Sequence, residues 1–392
     1  MKKSLFALAA ASAFAGAVQA QSSVSVYGIY DGGYSVSRTE MSTAAGVKTV
    51  TQGGGFTGGE SASSRIGFRG VEDLGGGLSA NFNLELGITA GTGQVGVTPA
   101  AASAATGGIA TGANQGSETG VRTSIVGIGS KEFGTLGVGR QLTGMHSILA
   151  GDVWGGNNMA GDITYSDVSS TANGAGVTAT ARINSVTTRS SNMLTYTSPT
   201  VMGFNLRGDY GNTTATAVSQ PGIQFAIKGI YAGYKYGPVT AKIGRVEAVS
   251  NEALAVGVAY TGSRTVVSGG NIMYQDKGLT VQYTNGRNLT ETYTVAAGYA
   301  QGSAVKANKF SASYQIGKVM PFAQYGQGVS EGVRTAANTS TDDKAFQLGA
   351  EYALSKRSNL YAAYGSHKKT LKTNSSAATE ITDIAVGLRH TF

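Results

Sequence analysis

The sequence predicts an all-β chain: an antiparallel, up-and-down sheet closed into a membrane-spanning barrel. Three observations predict it. Apolar and polar residues alternate in segments of roughly ten residues from Val24 to Phe392. The connections between segments alternate between short and long. The first twenty residues read as an export signal. A sheet with lipid on one face and water on the other satisfies its backbone groups only by closing on itself.

The N-terminus comes first. Lys2 and Lys3 precede an apolar run over residues 5–18, with small residues at Val18 and Ala20. This is the pattern of a signal peptide cleaved after Ala20, and the run is shorter than the ~20 residues a spanning helix needs. The expected division is therefore residues 1–20 as signal peptide and residues 21–392 as one barrel domain. Removing Lys2 and Lys3 takes the formal charge from +8 to +6. There is no Cys, so neither a disulfide nor thiol chemistry is available. No later stretch reaches the ~18 uninterrupted apolar residues of a membrane helix.

Strand patterns follow in order. In "VSVYGIYDGGY", Val24, Val26, Tyr30 and Tyr34 share one face; Ser25, Tyr27 and Asp31 share the other. In "GLSANFNLELGI", Leu78, Ala80, Phe82, Leu84, Leu86 and Ile88 oppose Ser79, Asn81, Asn83 and Glu85. "RIGFRG" sets Ile66 and Phe68 against Arg65 and Arg69. The same texture returns through "QFAIKGIYAGYKYG", "KFSASYQIG", "AFQLGAEYAL" and "NLYAAYG". The end, "ITDIAVGLRHTF", puts Ile384, Val386, Leu388 and Phe392 on one side, which suits a last strand that zips against the first. Short turns are expected at 73–77, 131–134, 198–203, 236–238 and 354–359. Long loops rich in Gly, Ser, Thr, Ala and Asn are expected at 37–62, 90–119, 141–190, 211–220, 328–343 and 366–380. The patterns yield about eighteen segments on the ten-residue template. The extra pair falls between 253 and 300, where "TGSR", "QDKG" and "NGRN" all read as turns.

The chain resembles the trimeric general porins of Gram-negative outer membranes over its whole mature length. "SVSVYGIYDGGY", "SRIGFRGVEDLGGGLSANFNLELG", "GTLGVGRQ", "NMLTYTSPTVMGFNLRGDYG", "EYALSKRSNLYAAYG" and "VGLRHTF" carry the resemblance. It implies sixteen strands, with eighteen as the alternative, and a homotrimer with one aqueous pore per subunit. It further implies a third outer loop folded inward and a C-terminal Phe392 that signals assembly. The implied surroundings are outer-membrane lipid and lipopolysaccharide, the barrel-assembly machinery, and small hydrophilic solutes and anions. The inward-loop stretch 141–190 lacks the Pro-Glu-Phe-Gly turn of some relatives.

The same resemblance implies a basic constriction wall of Arg65, Arg122, Arg140 and Arg189. Alternation with Ile66 and Phe68 independently turns Arg65 inward. Arg140 shares parity with Leu136 and Val138, so it reaches inward only if the strand ends or bulges there. Facing acids are expected on the inward loop, with Asp152, Asp162 and Asp167 as candidates. Such rows of opposite charge set a transverse field, and inward cations concentrate anions.

Other chemistries are weakly supported. His146, His367 and His390 are far apart with no metal-ligand spacing, so neither a metal nor another cofactor is expected. Gly53, Gly55 and Gly58 form a G-x-G-x-x-G that opens no helix. The dispersed basic charge does not make a nucleic-acid stripe. The expected function is therefore a passive, anion-preferring channel and not an enzyme. A substrate-specific channel, hinted at only by Trp154, and a barrel hydrolase are the alternatives.

Overall fold

The computed structural model describes residues 23–90, 93–95, 120–150, 153–154, 159–164, 188–217, 220–252, 261–294, 298–331 and 340–392. The expected signal peptide, Asp152 and Asp167 lie outside them. Among the described residues, eighteen strands run in chain order. They are β1 (Ser23–Ser42), β2 (Lys48–Thr57), β3 (Arg65–Gly75), β4 (Leu78–Thr89), β5 (Gln94–Val95), β6 (Val121–Ser130), β7 (Gly134–Leu142), β8 (Arg189–Thr197) and β9 (Phe204–Ala217). There follow β10 (Gln220–Tyr236), β11 (Val239–Glu252), β12 (Thr261–Asp276), β13 (Leu279–Thr294), β14 (Gly298–Tyr314), β15 (Val319–Glu331), β16 (Thr341–Ala353), β17 (Ser358–Leu371) and β18 (Ala378–Thr391).

These strands make a closed barrel of sixteen staves among the described residues. β2 pairs with the far half of β1 and β3 with its near half, so the two count as one stave interrupted at residues 58–64. β5 is an extra two-residue strand paired only with β4. Every other neighbour is an antiparallel partner in chain order, and β18 closes onto β1. Sixteen staves match the smaller of the two counts expected from sequence.

Over the described residues 261–294 the turn signals resolve physically. Of the three, only "QDKG" is a turn, where Lys277 (φ 46°) and Gly278 (φ 85°) reverse the chain between β12 and β13. "TGSR" starts β12, and "NGRN" lies inside β13, with Asn285 and Arg287 on one face and Asn288 on the other. An Asn-Gly pair favours a turn only when the chain has no partner on both sides; here β12 and β14 flank it. Several expected long loops are partly strand as well. β1 and β2 continue the ladder to Ser42↔Lys48, and β9 and β10 continue to Ala217↔Gln220. The short connection from β3 to β4 needs its glycines: Gly75, Gly76 and Gly77 all have positive φ.

Side-chain alternation sorts the two faces. Val24, Val26, Phe82, Leu84, Ile128, Val138, Ile243, Leu348 and Leu388 are exposed on the outside, as lipid-facing residues of an isolated barrel are. Inward positions such as Asp31, Gln282, Thr284, Ser311 and Gln347 are buried and polar. Asp31 accepts hydrogen bonds from the Ser61 and Ala62 backbone N–H groups and, at 2.8 Å, from the Tyr361 hydroxyl. It thus ties the interrupted stave to the closing strands. The seam itself ends without fraying. Gly28 N donates to Phe392 O at 3.0 Å and Phe392 N to Gly28 O at 3.1 Å. A Cβ at Gly28 would collide with the Phe392 ring, so the glycine makes room for the terminal aromatic. His390, interfacial by its sequence position, meets Ser358 Oγ at 2.9 Å through Nδ1.

Candidate functional site

The inner wall formed by β3, β4, β6, β7 and β8 gathers three of the sequence-predicted arginines around Glu85, with the fourth, Arg140, beside Arg189. Arg65 opens β3, and its Nε lies 3.7 Å from Glu85 Oε2. Arg122 Nε donates to Glu85 Oε1 at 2.7 Å, and its side chain is only 5% exposed. Simple alternation puts Arg122 on the outer face with Ser124 and Val126. A bulge turns it inward: Glu85 pairs with Thr123 and Leu86 with Val121, leaving Arg122 as the extra residue of β6.

Arg189 begins β8, is buried, and lies close enough to act electrostatically on Glu85, Arg122 and Arg140. Arg140 sits where the pleat breaks. Gly139 adopts φ 132°, and the register between β7 and β8 shifts between Gly139 and Gln141. Its Nε donates to Val121 O at 2.6 Å and its Nη1 to Ser191 Oγ at 3.0 Å. The interruption that its parity requires is therefore present. Tyr27 completes the surroundings by donating to Asn83 Oδ1 at 2.8 Å, while the Arg69 guanidinium lies 5.0 Å from its ring centre. Four guanidinium groups on one inner wall concentrate basic side chains there, and low-dielectric walls focus such a field.

Glu85 was legible only as one polar position among several. The signal was the hairpin register: counting back from the 75–78 turn pairs Gly67 with Glu85, which sets Arg65 diagonally across from it. Arg207 and Asp209 were not singled out at all. Arg207 Nε donates to Asp209 Oδ1 at 2.8 Å, and Asp209 Oδ2 accepts from Gly144 N at 2.8 Å.

That last bond starts a second feature. The described residues of 143–164 lie against inward-facing side chains of the opposite wall. A single helical turn, α1 (His146–Leu149), buries Ile148 and Leu149 with Met145 in a cluster that includes Tyr231, Val246 and Val267. Farther on, the Trp154 ring stacks on Phe322, with centroids 4.2 Å apart and planes 11° apart. Its Nε1 donates to Gln347 Oε1 at 3.1 Å. Gln347 Nε2 in turn donates to Ala160 O at 2.9 Å, and Ala160 N donates to Asp383 Oδ2 at 2.6 Å.

Asp162, one of the three candidate loop acids, lies in the contact with the wall. Its Oδ1 is 2.9 Å from Lys309 Nζ, and both side chains are fully buried. The reason is local: the inward-pointing Lys309 of β14 needs a counter-charge once the segment covers it. Asp152 and Asp167 lie outside the described residues.

Comparisons with known proteins agree with this geometry. A family model described as Gram-negative porin matches residues 7–371. An outer membrane porin protein of Bordetella pertussis is 29% identical, with all of both chains covered. Outer membrane porin protein 32 of Delftia acidovorans is likewise 29% identical with both chains fully covered. Among solved structures, an anion-selective porin from Comamonas acidovorans superposes with a TM-score of 0.64 at 22% identity, covering 95% of this chain and 100% of that one. With a closed sixteen-stave barrel, an apolar exterior and a charged interior on the page, the family match is conclusive: the chain belongs to the Gram-negative porins.

Proposed function

We propose that the protein is a passive diffusion channel of the outer membrane that prefers small hydrophilic anions. The observation that carries this reading is the cluster of Arg65, Arg122 and Arg189 about Glu85, with Arg140 beside Arg189, on one inner wall. Inward cations raise the local anion concentration and repel cations. The described residues of 143–164 narrow the lumen by packing on the inward faces of β10–β18. Asp152 and Asp167 remain candidates for acids facing the arginines, while Asp162 pairs with Lys309. The working unit is a homotrimer, cleaved after Ala20, and Phe392 marks the chain for assembly. The selective relative and the barrel interior support diffusion rather than catalysis.

The test is single-channel conductance of the purified protein in planar bilayers, over a range of KCl concentrations. A general channel gives stepwise currents that rise nearly in proportion to salt. Absence of steps overturns the channel reading. Saturation at low concentration of one sugar or anion replaces it with a substrate-specific channel.

A further inference from the structure

We infer that Gly365, a residue of the barrel wall, sets the width of the pore and with it the size of solute that passes. This rests on the reading above that the described residues of 143–164 narrow the lumen. What it adds is the wall residue that fixes how far they stand into it.

The backbone of Gly365 does not itself call for glycine. The residue lies inside β17 and is not among the glycines with positive φ. An isolated glycine inside a strand marks a place where another backbone comes close. Here that backbone is Ala160. A Cβ on Gly365 would collide with the carbonyl oxygen of Ala160. It would also stand 3.0 Å from the Ala160 carbonyl carbon and 3.2 Å from Gln347 Cγ. None of these three nearest atoms is a backbone atom of the wall. The strand has room for a methyl group at 365, and the inward segment occupies it.

The strand register builds a seat around this position. Gly365 pairs with Gln347 of β16 on one side and with Asp383 of β18 on the other. Directly opposed residues of neighbouring strands share a face, so all three point inward. Gln347 Nε2 donates to Ala160 O at 2.9 Å, and Ala160 N donates to Asp383 Oδ2 at 2.6 Å. The two outer side chains thus hold both backbone polar groups of Ala160, and the glycine between them leaves the space where Ala160 rests. The next residue of the segment makes the reciprocal contact. Gly161 has φ 110°, and a Cβ there would collide with Phe346 O and Gln347 Cγ of β16. Segment and wall therefore meet backbone to backbone, with glycine on each side.

That contact decides how much lumen remains. Layers kept apart by side chains on both faces stand ~10 Å apart. Without side chains between them, residues 160 and 161 lie several ångströms closer to the wall, and that distance is left to the pore. A carbon atom needs ~3.5 Å from its neighbours, so even a methyl group at 365 must push Ala160 off the wall. The push does not free the segment. Trp154, stacked on Phe322, and Asp162, paired with Lys309, hold it on either side of Ala160. The segment bows toward the lumen between those two anchors, and the pore narrows.

The experiment compares full-length wild type with Gly365→Ala and Gly53→Ala. The second variant adds the same methyl group to an inward strand position, paired with Ser37, where nothing lies within 4 Å. Gly365→Ala is also made in a chain lacking residues 159–164. Single-channel conductance is recorded in planar bilayers, and entry of a neutral monosaccharide and a neutral disaccharide is timed in proteoliposomes. Gly365→Ala should lower conductance and slow the disaccharide more than the monosaccharide, so the ratio of the two rates falls. Gly53→Ala should keep the wild-type conductance and ratio. In the shortened chain Gly365→Ala should change neither, because no Ala160 remains to be displaced. Unchanged or raised conductance in folded Gly365→Ala overturns the inference. An equal fall in the shortened chain also overturns it, since the methyl group would then act by itself. Absence of channel steps in wild type would refute the channel reading and the inference together, whereas wild-type steps with an unaltered Gly365→Ala refute the inference alone.

Discussion

Replacing Lys309 by methionine should loosen the contact of residues 159–164 with the inner wall. Lys309 and Asp162 are both fully buried and 2.9 Å apart. Removing one partner of a buried ion pair costs about 3–5 kcal/mol. In the variant, Thr164 Oγ1, 3.1 Å from Asp162 Oδ1, remains as a donor. Opposing release are the bonds from Gln347 to Met159 O and Ala160 O, the bond from Ala160 N to Asp383, and the Trp154–Phe322 stack. At about 1 kcal/mol for each bond and for the ring pair, these restraints total about 4 kcal/mol. The two sides are comparable, so the segment should leave the wall for a measurable fraction of the time. Single-channel recording should show added current noise and higher-conductance sublevels in Lys309→Met. The double variant Lys309→Met/Asp162→Leu removes both charges and should return the quiet current of the parent. A quiet, parent-like current in correctly folded Lys309→Met would refute the reasoning, as would persistent noise in the double variant.

Three further outcomes are expected. Glu85→Gln removes the carboxylate shared by Arg65 and Arg122, so the reversal potential in a salt gradient should move farther toward the anion side; movement toward cations would contradict the wall's assignment. Deleting part of 151–176 should raise single-channel conductance, and unchanged conductance in folded trimers would place the narrowing elsewhere. Phe392→Ala should spare export and refolding in detergent but lower the heat-modifiable trimer recovered in outer-membrane fractions. Its backbone bonds to Gly28 survive the change while its ring is lost, so equal trimer yields would leave Phe392 an ordinary interfacial aromatic.

Period-two alternation made the barrel legible because lipid and water lie on opposite faces of every strand. Leu84 outward and Glu85 inward follow from that pattern alone, as does Arg65. Arg122 and Arg140 do not, because alternation fails at a bulge and at Gly139. Motif resemblance placed them where periodicity could not. Turn signals misled at "NGRN", since propensity yields to two flanking strands. The buried pair of Asp162 and Lys309, 147 residues apart, had no local signature.

The central claim is a water-filled channel whose basic wall favours anions. Its most direct test is the reversal potential of the purified protein across a KCl gradient at neutral pH. Zero-current potential of the sign set by chloride permeating faster than potassium is the expected result. A potential of the opposite sign would contradict the claim, since inward cations that govern the pore repel potassium and concentrate chloride.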